Sequence, residues 1–328
     1  MRKLIFPVLL VLAAGGGYLL SQYDLQGLKE FQFRPRVAPA KDPAPVAGVP
    51  AQPPVPERLN SIRIATFNFS PLDEQKLAKP FVAMRLAQVL QQFDLIAVQD
   101  VQAPNQSVLV RLIEMINTMG RHYDYVLPPS VGRDVVHQYS ALVFDRATIE
   151  VDRRTVYSVE DPTRQLRRKP LVASFRTRGA GPSEAFTFTL VNVHVSPEQV
   201  STELDLLDDV YRAVRDDGRN EDDIILLGDL ETDDRHLGQL GQVPHLTCAV
   251  FLTPSTVQAR LADNLVFDRR ATVEFTGRSG VLDFMRQFNL STREVAELAY
   301  HFPVWAEFSI YEGGQAGQVA TGPGAVRR

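Results

Sequence analysis

The run Ile224-Ile225-Leu226-Leu227-Gly228-Asp229 is short, apolar and closed by Gly-Asp, so a buried strand would carry the Asp229 carboxylate to a sheet edge. Similar runs end in Asn68 (from Ile62), in Gln99-Asp100 (from Asp94) and in Asn192-Val193-His194 (from Phe188). Asp263-Asn264-Leu265-Val266 begins with its polar pair, and Tyr300-His301-Phe302-Pro303-Val304-Trp305 adds a second imidazole near the C-terminus. Each residue alone has a plain structural reading: Asp229 and Asn68 as turn residues, Asp100 as a cap, His194 as a satisfied buried histidine. Together they bring amide, carboxylate and imidazole groups to one place, the set that metal-assisted hydrolysis requires.

The elements that position these groups follow from periodicity. In residues 199–217, Leu204, Leu207, Val210, Tyr211 and Val214 share one helical face, and Gly218 follows at the expected stop. Residues 81–93 and 108–119 read as helices in the same way. Residues 139–144, 171–176 and 186–194 carry apolar or alternating strand patterns. Periodicity alone gives an α/β domain in which helices alternate with strands early and strand-to-strand connections dominate the middle.

The order and spacing of the motifs resemble those of the endonuclease/exonuclease/phosphatase superfamily, the metal-dependent phosphodiesterases related to deoxyribonuclease I and the abasic-site endonucleases. The resemblance runs from about Ile62 to Phe308. A strand ending in Asn is matched by Asn68, Gln-Glu by Gln99-Asp100, Asn-x-His by Asn192-Val193-His194, and Gly-Asp-x-Asn by Gly228-Asp229-Leu230-Glu231. The family's Tyr-Asp strand start corresponds to Ala262-Asp263-Asn264, and its closing Ser-Asp-His-x-Pro-Val to Ala299-Tyr300-His301-Phe302-Pro303-Val304. The resemblance implies a four-layer α/β sandwich of two mixed β-sheets with outer helices. It places Asn68 and Asp100 at the metal site, for Mg²⁺ or Mn²⁺. His194, Asp229, Asp263 and His301 take the catalytic positions, with Asp263 orienting His301. Asn192, Arg168 and Glu231 fall at substrate-binding positions, Arg168 within the basic run Arg167-Arg168-Lys169 before Pro170.

Five departures bear on activity. Asp100 replaces Glu and is shorter by one methylene, about 1.5 Å of reach. Glu231 stands for Asn and sets a carboxylate where a neutral donor would face phosphate. Tyr300 stands for Asp, Ala262 for Tyr, and His137 for the Glu that orients the first His. Two outcomes are open: a rewired site in which Glu231 replaces the charge missing at Tyr300, or a catalytically inactive member of the fold that binds nucleic acid or protein. A lipid or inositol phosphatase is a third reading, suggested by the N-terminal segment alone.

Arg2 and Lys3 precede an apolar run from Leu4 to about Leu20, which reads as a signal anchor or signal peptide over residues 1–22. The basic end would be cytoplasmic by the positive-inside rule, leaving the domain outside the cytoplasmic membrane on a single span, or secreted or periplasmic after cleavage. Residues 23–59 form a Pro-rich linker, residues 60–312 the domain, and residues 313–328 a Gly- and Ala-rich tail. The net charge of -4 argues against a protein held on nucleic acid by bulk electrostatics, so a polyanion must meet a local basic patch. The single Cys248 excludes an internal disulfide and a thiolate zinc site.

Overall fold

The computed structural model describes residues 23–26, 32–35, 60–131 and 138–316. The chain divides into two units, Met1–Val55 and Pro56–Arg328. In the first, β1 (Tyr23–Gln26) and β2 (Gln32–Pro35) pair antiparallel within the stretch read as linker, Tyr23 opposite Pro35 and Gln26 opposite Gln32. The apolar run of residues 4–20, most of the Pro-rich stretch, His137 and the tail from residue 317 lie outside the described residues. No helix among the described residues is long and apolar enough to cross a membrane.

The second unit opens with β3 (Ser61–Leu72), α1 (Glu74–Leu77), α2 (Pro80–Leu90), β4 (Leu95–Val101), α3 (Ser107–Thr118) and β5 (Tyr123–Val126). Next come β6 (Tyr139–Asp145), β7 (Ile149–Ser158), β8 (Leu171–Thr177), β9 (Thr187–His194), α4 (Val200–Arg215) and β10 (Ile224–Asp229). It closes with β11 (Leu246–Cys248), β12 (Asp263–Asp268), β13 (Phe275–Val281), α5 (Phe284–Gln287), α6 (Thr292–Leu298) and β14 (Val304–Ser309). One six-stranded sheet has the order β11-β12-β10-β9-β8-β7 and the other β13-β14-β3-β4-β6-β5. Both are mixed, because β9 with β10 and β3 with β4 run parallel among antiparallel neighbours.

The alternation of side chains along each strand builds the layers. Ile225 and Leu227 of β10 point between the sheets, where they join Leu265, Phe267, Ile62, Ile64, Ala97 and Phe308 in one core. Leu226 points the other way and packs with Leu204, Leu207 and Tyr211 of α4. On the far side, Phe67 and Val98 face Leu86 of α2 and Leu112 of α3. The result is the four-layer sandwich of two mixed sheets between helices that the sequence motifs imply. Gly218, at φ 84 beyond α4, ends that helix in a left-handed conformation that glycine adopts without strain.

Register brings one set of strand ends together. Because β9 and β10 are parallel, Asp229 lies opposite His194; because β12 is antiparallel to β10, Asp263 lies opposite Asp229 from the other side. In the second sheet Asn68 pairs opposite Gln99, and β14 starts at Val304 opposite Thr66, which puts His301 near the same edge. Gly228 makes the close approach of β9 and β10 possible. A Cβ there would sit 1.9 Å from the Val193 carbonyl oxygen, so any side chain would push Asp229 out of place.

Candidate active site

Two carboxylates stand side by side at this edge, both deeply buried: Asp229 is 1% exposed and Asp263 0%. Asn68, from the opposite sheet, donates from Nδ2 to Asp229 Oδ2 at 2.7 Å, and the Glu231 N–H donates to Asp229 Oδ1 at 3.0 Å. The Asn68 amide is oriented in turn by the Ser70 N–H, which donates to Asn68 Oδ1 at 2.9 Å. Burial, with the charge of Asp263 beside it, pushes the Asp229 carboxyl up to about 7 against the opposing pull of His301 and Asn68.

Asp263 is engaged on both oxygens. His301 Nδ1 lies 2.9 Å from Asp263 Oδ2 and 3.1 Å from Oδ1, and the Ser255 hydroxyl donates to Oδ2 at 2.7 Å. Burial alone would depress the His301 imidazole, but the charge and hydrogen bond of Asp263, with Asp229 and Glu231 behind, hold it up at about 9. At neutral pH His301 is therefore an imidazolium. Its Nε2 is 3.8 Å from Asp229 Oδ2, too long for a direct hydrogen bond, so both groups stay available to a third.

His194 is tuned the opposite way. Burial, then the nearby charges of Arg168 and His301, push its imidazole down to about 3, so it is neutral at every working pH. Its Nε2 faces Asn68 Nδ2 at 3.4 Å, and its Nδ1 is buried without a partner among the described residues. Arg168 donates from Nε to Gln138 Oε1 at 3.2 Å, and its Nη1 is likewise buried and unpartnered among them. Gln138 passes the contact on, donating from Nε2 to Asp100 Oδ1 at 2.5 Å.

The chain has relatives among known proteins. The chain is 27% identical over 266 residues to deoxyribonuclease-1-like 2 of Mus musculus, covering 76% of this chain and 93% of the relative. It is 26% identical over 268 residues to deoxyribonuclease gamma of Rattus norvegicus, covering 74% and 83%. These relatives support a likeness to the endonuclease/exonuclease/phosphatase, deoxyribonuclease I-like superfamily. No family model matches it. Among solved structures of the same fold, D. rerio TDP2 complexed with single-strand DNA product has TM-score 0.53 at 14% identity over 76% of this chain and 98% of that one. The human Nocturnin catalytic domain with bound sulfate has TM-score 0.51 at 11% identity over 80% and 100%.

Asn68, His194, Asp229, Asp263 and His301 come together at one edge. Asn192 goes elsewhere. Gln99 Nε2 donates to its Oδ1 at 2.8 Å, and its Nδ2 donates to the Val98 and Ala141 carbonyls, so the buried amide joins the two sheets. Glu231, at φ 54, pairs with Arg260 at 3.0 Å and does not enter the Asp229, Asp263 and His301 cluster. Tyr300 is 45% exposed. Of the basic run, Lys169 is paired with Glu160 at 2.9 Å, and Arg167 to Lys169 line a cleft of about 640 Å³ with Tyr157 and Gln138.

Three residues have supporting roles that the sequence reading does not assign. Ser255 fixes Asp263 while accepting the Ala262 and Asp263 N–H groups, Gln138 holds Asp100, and Gln99 holds Asn192. Gln99 was visible as half of a motif, but Ser255 and Gln138 lie in loops without periodicity and gave no signal. Oxygen donors suited to a hard cation are present at Asn68 and Asp100. Asn68 Oδ1 accepts one hydrogen bond and retains a second lone pair, and Asp100 Oδ2 has no partner among the described residues.

Proposed function

We propose that the chain is a divalent-metal-dependent phosphodiester hydrolase that cleaves nucleic acid. The observation that carries this reading is the assembled set of a raised Asp229 carboxyl, an imidazolium at His301 held by Asp263, and a neutral His194, all at one edge. The deoxyribonuclease relatives support nucleic acid as the substrate. Asn68 and Asp100 would hold Mg²⁺ or Mn²⁺, which when bound supplies positive charge to a phosphate oxygen. Asp229, kept in place by Asn68 and the Glu231 N–H, accepts the proton of the attacking water. His301 presents its Nε2 proton to the phosphoryl oxygens, and Arg168 and His194 supply further donors.

The chain's own substitutions give the test. Nicking of plasmid DNA and hydrolysis of a generic phosphodiester are measured with and without Mg²⁺ or Mn²⁺, in the natural chain and in Asp100→Glu/Glu231→Asn/Tyr300→Asp. We expect metal-dependent cleavage in the natural chain, raised about tenfold or more by the triple change, because it restores three groups of a site that acts as a unit and removes the Glu231 carboxylate two residues from Asp229. At φ 54 an Asn also suits position 231 better than Glu does. If both proteins are inert, the fold serves here as a binding module. If the triple change abolishes activity that the natural chain has, Glu231 is a working part of the site.

We further propose that the domain works outside the cytoplasmic membrane, attached through residues 1–22. The support is the basic start and apolar run of that segment. Full-length protein should fractionate with membranes; recovery in the soluble cytoplasm would overturn this placement.

A further inference from the structure

At the end of the sandwich opposite Asp229, about 20 Å away along β10, the chain gathers a second set of carboxylates. Asp223 immediately precedes β10, Thr272 and Glu274 lie between β12 and β13, and Glu312 follows β14. Ligand oxygens of Asp223, Glu274 and Glu312 lie within 4.8 Å of one another. Asp223 and Glu274 are each 2% exposed, where a carboxylate requires donors or a cation.

Few donors are there. Glu274 Oε1 accepts the Gly313 N–H at 2.6 Å, and Glu312 Oε2 accepts the Thr187 N–H at 3.1 Å. Asp223 Oδ1, Glu274 Oε2 and Thr272 Oγ1, the last on a side chain 1% exposed, are buried with no hydrogen-bond partner among the described residues. The Thr272 hydroxyl lies beside the Asp223 carboxyl. No Lys or Arg pairs with Asp223, Glu274 or Glu312, or with the adjacent Glu221 and Asp222, among the described residues. The arginines near Glu221 are engaged elsewhere, Arg176 by Glu150 and Arg219 by Asp217.

We propose that Asp223, Glu274 and Glu312, with the Thr272 hydroxyl, form a binding site for a hard divalent cation of the calcium type. Oxygens that each lie about 2.3–2.6 Å from one ion are at most about 5 Å apart, and this cluster meets that limit. The donors are all oxygen, from carboxylates and a hydroxyl, and they come from irregular loops. Calcium tolerates such variable geometry, whereas magnesium demands a near-ideal octahedron. The cation would tie β10 and β12 of one sheet to the segments flanking β13 and β14 of the other.

Thermal unfolding of the full-length protein, stripped of metal with EDTA and titrated with CaCl₂, tests the site. We expect the midpoint to rise by about 5–10 °C when calcium reaches about 100 times its Kd. Asp223→Asn/Glu274→Gln should remove the rise and, in calcium-free buffer, unfold at a higher temperature than the natural chain, because the like-charge repulsion is gone. Asp263→Asn, at the other end, should keep the rise, which separates this site from the proposed catalytic one. No rise in the natural chain, or a rise undiminished in the double variant, overturns the proposal. If the double variant does not fold, crystals of the natural protein grown with terbium chloride decide: an anomalous peak among Asp223, Glu274 and Glu312 is expected, and its absence there refutes the site.

Discussion

Asp229→Ala lowers the metal-dependent rate of DNA cleavage by ~10³-fold or more, with the folded state retained. Two causes add: the residue that accepts the proton of water is lost, and so is the acceptor that holds the Asn68 amide. Asp229→Asn separates them, since an amide keeps the shape and an acceptor for Asn68 but cannot take a proton. Its rate should fall nearly as far. Stability moves the other way, because a carboxyl held up at about 7 by burial and by Asp263 is an unfavourable neighbour at pH 8. The Asn variant should therefore unfold at a temperature no lower than the natural chain. Single-turnover cleavage with circular dichroism as a check on folding makes the measurement, and retention of more than a tenth of the natural rate in either variant removes Asp229 from the chemistry.

Asp263→Asn shows a different signature. With His301 held up at about 9, the rate of the natural chain should fall as pH rises through about 9, where the imidazolium loses its proton. Without the Asp263 charge, burial dominates and the imidazole titrates at or below its ordinary ~6.5, so the alkaline limb moves down by about two units or more. At pH 8 the variant should be slower by ~10²-fold or more, and part of that loss should be recovered at pH 6. Stability follows the same sign. A histidine whose folded pKa is raised contributes fully below its unfolded value and loses the contribution as pH rises through about 9, on the order of 3 kcal/mol for this pair. A pH–rate profile of the variant that overlays that of the natural chain would dismiss the pair as a catalytic unit.

The sequence carried the fold because strand ends and apolar parity are local properties that survive wherever both faces of a sheet are covered. The runs ending in Asn68, His194 and Asp229 needed no tertiary information to be placed at sheet edges, and the helix of residues 200–215 showed its buried face directly. The site was legible where a functional group is itself a strand terminus. It was illegible where function depends on where a side chain turns. Nothing in Gln-Asp foretells that Asp100 adopts φ 61 and gives one oxygen to Gln138, or that Glu231 turns to Arg260. Ser255 precedes Asp263 by eight residues in a loop, and its hydrogen bond to that carboxylate is a product of the folded loop alone.

The Asn-x-His motif contains two residues with unequal bearing on chemistry. Every polar atom of the Asn192 side chain is bound within the protein, so selection for a well-assembled sandwich is enough to keep an asparagine there whether or not a phosphodiester is ever cut. His194 is engaged at Nε2 alone, by Asn68, and keeps its Nδ1 unbound among the described residues. In a descendant that lost activity, the asparagine would persist while the histidine drifted.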